Sequence, residues 1–133
     1  MRVGGWVGFV GSFGSVNVHV VRVYDDPGRR RGRLFLVERL WPRGVRKEEL
    51  SDATWLRDVA PSAELRMWFG HDPDRWEEFR KRYRAELEGG PAGAALEKLR
   101  QEVSRGEVTL LYSARDEEHN SAVVLAEVLD EQR

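Results

Sequence analysis

Val108-Thr109-Leu110-Leu111-Tyr112, followed by Ser113-Ala114-Arg115-Asp116-Glu117-Glu118-His119-Asn120, decides the class of this fold. The first run is apolar, β-branched and aromatic, which reads as a buried strand. The polar stretch after it reads as a loop. Ala122, Leu125, Ala126 and Leu129 then recur at the spacing of one helix face. A strand that runs through a polar loop into an amphipathic helix is the repeating unit of α/β proteins.

Upstream, Gly106 closes a helix over about residues 92–104, with Ala95, Leu96, Leu99 and Val103 on its core face. Gly89-Gly90-Pro91 ends another, along which Trp76, Phe79, Tyr83 and Leu87 keep helical spacing. Asp72 is its predicted cap, with Pro73 at the first position, where a missing N–H costs nothing. Ser62 is placed to cap a short helix that ends at Phe69 and carries Leu65 and Trp68 on one face.

Nearer the start, residues 16–24 alternate and are β-branched, and residues 34–38 form a short apolar run, so both predict strands. Asp25-Asp26-Pro27-Gly28 between them is turn chemistry, and residues 29–33 are a charged loop. That connection is too short for a helical crossover, so these strands are antiparallel neighbours or not neighbours at all. Pro42 and Gly44 stop the second strand, and Lys47–Leu50 suits one helical turn. Residues 53–59 suit a strand or an irregular segment. The order predicts a single α/β domain whose small, mostly parallel or mixed sheet is flanked by helices.

The 133 residues suit one domain, and a chain of this size buries roughly two-thirds of its unfolded surface. Apolar residues at 41% and charged residues at 34% describe a globular protein with a heavily charged surface. Cysteine is absent, which excludes a disulfide framework, a thiolate zinc site and a cysteine nucleophile, and agrees with a cytoplasmic location. The net charge of −1 conceals a basic arm and an acidic tail. Arg29, Arg30, Arg31 and Arg33 belong to the first, and Glu107, Asp116, Glu117, Glu118, Glu127, Asp130 and Glu131 to the second. Either the arm meets an anionic partner or the two regions neutralise each other across the fold.

Residues 1–16 differ from the rest, with Gly4, Gly5, Gly8, Gly11 and Gly14 interrupting an apolar run. The run is too short to span a bilayer, and its glycines break the apolar core of a signal peptide, so no membrane partner is expected. The expectation is a loosely ordered extension, read through from an upstream start codon, ahead of an α/β domain over residues 17–133.

Ligands of open α/β sheets bind beyond the carboxyl ends of the strands. Reading off those ends gives Glu38-Arg39-Leu40-Trp41-Pro42-Arg43-Gly44, then Asp58-Val59-Ala60-Pro61-Ser62, then the loop after Tyr112. Trp68-Phe69-Gly70-His71-Asp72 joins two helices and can fold over the same edge. Arg39, Arg43 and Arg115 are candidate donors to a phosphate or carboxylate, which guanidinium groups bind in a two-pronged fashion. Asn120 marks a helix N-terminus that favours an anion, and Asp58 and Ser62 complete the binding set. The bland alternative is that these arginines pair with Glu38, Asp58 or Asp116. His119, His71 and Asp116 are the candidate proton-transfer groups, against the commoner role of a histidine as a satisfied hydrogen-bonding residue. A metal held by His71, His119 and a carboxylate such as Asp116 has no recognised ligand spacing behind it, so no metal site is assigned. Trp41, Trp55, Trp68 and Trp76 have the faces to stack a base, but large aromatics in small domains usually serve the core. No phosphate loop, dinucleotide fingerprint or serine elbow is present, and no cofactor is indicated.

These same stretches carry a family likeness. Residues 38–44, 55–62, 68–72 with Arg75-Trp76 beyond, and 111–125, all in this order, resemble the YeaO-like family (domain of unknown function 488), small proteins of bacteria and archaea. The likeness runs from about Val18 to Leu129. It implies an α/β fold and brings no established activity or cofactor. The family more often has Asp and Lys where this chain has Glu38 and Arg115; arginine for lysine keeps the charge but alters any proton-transfer role. Two functional readings follow. One is a pocket for a small anion, of phosphate or carboxylate type, in a hydrolase- or transferase-type enzyme or the relic of one. The other is a non-catalytic module that binds nucleic acid or protein through the same arginines and the basic arm. The absence of a helix-turn-helix and of an overall basic charge counts against DNA. Oligomeric state is not legible.

Overall fold

A computed structural model describes residues 17–131 of the chain, so the extension foreseen over residues 1–16 lies outside the described residues. The strands are β1 (Val18–Arg22), β2 (Arg33–Leu36), β3 (Ala53–Trp55) and β4 (Val108–Tyr112). The helices are α1 (Ala63–Phe69), α2 (Trp76–Glu86), α3 (Gly90–Arg105) and α4 (Ser121–Glu131). Short 3-10 turns stand at Pro27–Arg29, Lys47–Leu50, Arg57–Val59 and Pro73–Arg75. Asp72 caps the last of these through the N–H of Asp74, and α2 begins only after it. The ambiguous stretch after Asp52 divides into an edge strand and a 3-10 turn.

The sheet is four-stranded in the order β1-β4-β2-β3, and every pairing is parallel. The first two strands are therefore not neighbours, because β4 lies between them. Their connection crosses the sheet without a helix, and buried Thr109 of β4 holds it. Its hydroxyl donates to the Arg31 carbonyl (2.7 Å) and accepts from the Arg31 N–H (2.8 Å). Gly32 passes so close that a Cβ there would lie 2.0 Å from the Glu107 carbonyl oxygen, at a φ of +67°. Only glycine suits that crossing.

One face of the sheet, with Val18, Val20, Phe35, Val37, Leu110 and Tyr112, packs against all four helices in the main core. The other face, with Val21, Leu34, Leu36 and Leu111, is covered by Leu50, Trp41, Val45 and Trp55. Helices thus flank only one side of the sheet. Fully burying such a side chain contributes about 1.5–3 kcal/mol. Tyr83 of α2 lies deep in the main core, where its hydroxyl donates to the Val59 carbonyl (2.6 Å). That bond anchors the segment that leads from β3 into α1. Among the described residues, no helix is long and apolar enough to cross a membrane.

Candidate functional site

The central strands β4 and β2 both release the chain at the same edge of the sheet. A cleft of ≈ 580 Å³ opens there. The exits of the two strands form one side, and Ala60, Pro61, Arg66 and Phe69 form another.

The loop between β4 and α4 is built around Asp116. One carboxylate oxygen accepts from the N–H groups of Glu118 (2.9 Å) and His119 (3.0 Å). The other faces Nδ1 of His119 at 2.9 Å. Burial acts to raise the Asp116 pKa, but the Glu118 N–H, the His119 ring and the His119 N–H together hold it below the usual aspartate value. A carboxylate acceptor at Nδ1 places a proton there, which leaves Nε2 of the neutral ring as an acceptor on a cleft-lining residue. The ring also stands edge-on to Trp76, with centroids 5.1 Å apart. Buried Asn120 accepts from the Val123 N–H (3.0 Å) and donates to the Asp116 carbonyl (2.9 Å), so it caps α4 and ties its start to the loop.

Glu38 occupies the exit of β2. Its carboxylate accepts from the Ser113 N–H (2.9 Å), which joins the ends of the two central strands. Burial raises its pKa, opposed by the Ser113 N–H and hydroxyl and by the fields of Arg66 and His71. His71 lies in the turn after α1 at a φ of 57°, a left-handed conformation uncommon in a residue with a side chain. Its ring is 6.1 Å from that of Phe69.

Arg39, Arg66 and Arg115 line this cleft. Among the described residues, none of the three has a carboxylate within 4.0 Å. The ion-pair alternative for Arg39 and Arg115 is therefore not what the fold makes. Arg39 instead donates to the carbonyls of Pro61 (3.0 Å) and Ala60 (3.1 Å). Arg115 is exposed and Arg66 reaches Glu38 only through its field.

The cleft thus brings together Arg39, Arg115, Asn120, His71, His119 and Asp116 of the expected set. Three others lie outside its lining. Arg43 is exposed, and its carbonyl accepts from the Tyr24 hydroxyl (2.6 Å). Asp58 is exposed on the 3-10 turn before α1. Ser62 caps α1 at the Leu65 N–H (3.1 Å) and donates its hydroxyl to Glu86 of α2 (2.7 Å), so its polar atom is engaged by the helices. Arg66 was not singled out by sequence, although it stands one helical turn after the Ser62 cap and hence on the same side of α1. Trp41, Trp55, Trp68 and Trp76 are half-buried against the two cores, and Trp68 also meets Arg75 and Arg82, 5.2 and 4.2 Å from its ring. Among the described residues no three His, Asp or Glu side chains converge to hold a metal, so His71, His119 and Asp116 do not form such a set.

A family model described as the inactive DUF488-N3 subclade matches residues 17–133. The chain belongs to the DUF488 family. Among curated relatives, an uncharacterised protein of Mycobacterium tuberculosis (strain H37Rv) is 42% identical over 116 residues, covering 87% of this chain and 96% of that one. The uncharacterised protein YeaO of Escherichia coli K12 is 37% identical over 114 residues, covering 86% and 97%. No solved structure matches. This DUF488 chain therefore has the YeaO-like relationship that its four stretches implied, and its cleft is formed largely from them.

Proposed function

We propose that the chain is a small-anion-binding domain whose cleft receives a phosphate or carboxylate group and holds it without turning it over. The observation that carries this reading is the set of three cleft-lining arginines that have no carboxylate within 4.0 Å among the described residues. Guanidinium groups are the side chains best suited to forked recognition of such anions. The start of α4, where Ser121 lines the cleft, has a positive dipole end that favours the same charge. The subclade's description as inactive favours retention over reaction. In this reading Asp116 positions the loop through the N–H groups of Glu118 and His119 and fixes the His119 ring.

The basic arm is less available for a nucleic acid. Arg33 pairs with Glu102, Arg29 with Asp25 (3.8 Å), and Arg31 donates to the Gly28 carbonyl (2.9 Å). Thermal-shift measurements of the full chain with phosphate, sulfate, acetate and sugar phosphates test the proposal. A ligand at a hundred times its Kd stabilises by about 2.7 kcal/mol, a rise of about 10 °C for a chain of this length. The rise is expected to vanish in Arg115→Ala. No shift with any anion, together with RNA or DNA binding that collapses steeply with salt, would replace this reading by the nucleic-acid one.

A further inference from the structure

We infer that the anion suited to this cleft is a phosphate monoester with an apolar, ring-sized body, the chemical class of a nucleoside monophosphate. The inference rests on the anion-binding reading and narrows it. The first reason is size. At ≈ 580 Å³ the cleft falls in the range of pockets for organic ligands, about 300–1,000 Å³, far more room than an inorganic anion fills.

The second reason is how the lining is divided between elements. The loop from β4 to α4 brings Arg115, Asp116, His119 and Asn120. The opposite side, from the segment before α1 and from α1 and α2, brings Ala60, Pro61, Phe69 and Phe79. Phe69 and Phe79 are themselves stacked, with centroids 4.3 Å apart and planes at 22°, so the two rings form an apolar patch on this side, beside Arg66. A ligand that satisfies both sides is charged at one end and apolar at the other.

The third reason is charge. Arg39, Arg66 and Arg115 face two carboxylates, Glu38 and Asp116, in the same lining. The positive excess is one, before any proton on His119 or His71. A phosphate monoester, at about −1.5 to −2 near neutral pH, already outweighs it, so each further phosphate adds charge with no cation to meet it. Glu38 strengthens that limit. Its carboxylate, held by the Ser113 N–H, lies in the lining and is hostile to a second phosphate.

Isothermal titration of the full chain with inorganic phosphate, phenyl phosphate, AMP and ATP tests this. Phenyl phosphate and AMP are expected to bind at least about 30-fold more tightly than inorganic phosphate, from burial of the ring body. ATP is expected to bind no more tightly than AMP, and Arg115→Ala should weaken all binding at least tenfold. Equal affinities for phosphate, phenyl phosphate and AMP would overturn the inference and leave the anion-binding reading intact. ATP binding most tightly would overturn the charge argument. AMP binding unchanged by Arg115→Ala would overturn the assigned orientation, and no binding by any of the four would remove both readings together.

Discussion

Removing Arg39 and removing Arg115 should have opposite consequences, although both residues line the cleft. The Arg39 guanidinium is half-buried and donates to two backbone carbonyls, at 3.0 Å to Pro61 and 3.1 Å to Ala60. Those carbonyls belong to the segment that the Tyr83 hydroxyl also holds, at Val59. Hydrogen bonds from a charged donor are worth about 1.5–3 kcal/mol each, and partial exposure reduces that, so Arg39→Ala should cost about 2 kcal/mol in all. With an unfolding entropy of about 2.1 cal/mol/K per residue, the melting temperature should fall by about 7 °C. Arg115 is exposed and forms no hydrogen bond or ion pair among the described residues, so Arg115→Ala should change stability by less than about 0.5 kcal/mol. Anion binding should nevertheless be lost in Arg115→Ala. Differential scanning calorimetry and titration on the same two variants measure both quantities. Should Arg39→Ala melt within a degree or two of wild type, the guanidinium does not hold the segment and the division of labour is refuted.

Tyr83→Phe leaves the Val59 carbonyl without its buried donor, so it should cost about 1–2 kcal/mol and lower the melting temperature by about 4–7 °C; an unchanged melt would show that the bond contributes nothing. Gly32→Ala should be more damaging than either, because a φ of +67° alone costs about 1–3 kcal/mol in a residue with a side chain and the new Cβ would also overlap the Glu107 carbonyl. Failure of that variant to unfold at lower denaturant would mean that the crossing segment is not held as described. Glu38→Gln tests the buried carboxyl. Burial raises its folded-state pKa, so the folded state holds its proton to higher pH than the unfolded chain, and stability falls as pH rises from the ordinary glutamate range through the folded value. Glutamine keeps an oxygen for the Ser113 N–H but cannot ionise. The variant should therefore melt above wild type at pH 7, with the gap closing toward about pH 3, where both states of the wild-type residue are protonated. A gap that does not change with pH would show that ionisation of Glu38 is not the cause.

Much of the architecture was legible because it is written locally. The apolar run Val108–Tyr112, the spacing of Phe79, Tyr83 and Leu87, the Ser62 cap and the Gly106 stop each act within a few residues, and each element formed where its pattern placed it. The rule that loops at strand carboxyl ends gather the polar groups also directed attention to Arg39, His71, Arg115, Asp116, His119 and Asn120, all of which line one cleft. What those residues do there was not legible, since the same loop chemistry serves caps and sites alike. Ser62 shows the difficulty: its hydroxyl suits a ligand, but Leu65 and Glu86 already engage it.

By itself, then, the sequence determined the class of fold, the succession of elements and the loops that carry the polar residues, because periodicity, capping and turn chemistry are properties of neighbouring residues. Only the tertiary structure decided that β4 enters between β1 and β2, which makes every strand pairing parallel. That order depends on Thr109 meeting Arg31, a contact 78 residues apart in the chain, and on the close passage of Gly32 over Glu107. The same insertion brings the end of β4 beside the end of β2, so that Ser113 meets Glu38 and the arginines of three separate segments face one cleft. No local pattern carries that information, because which distant groups become neighbours is settled by the packing of the whole sheet.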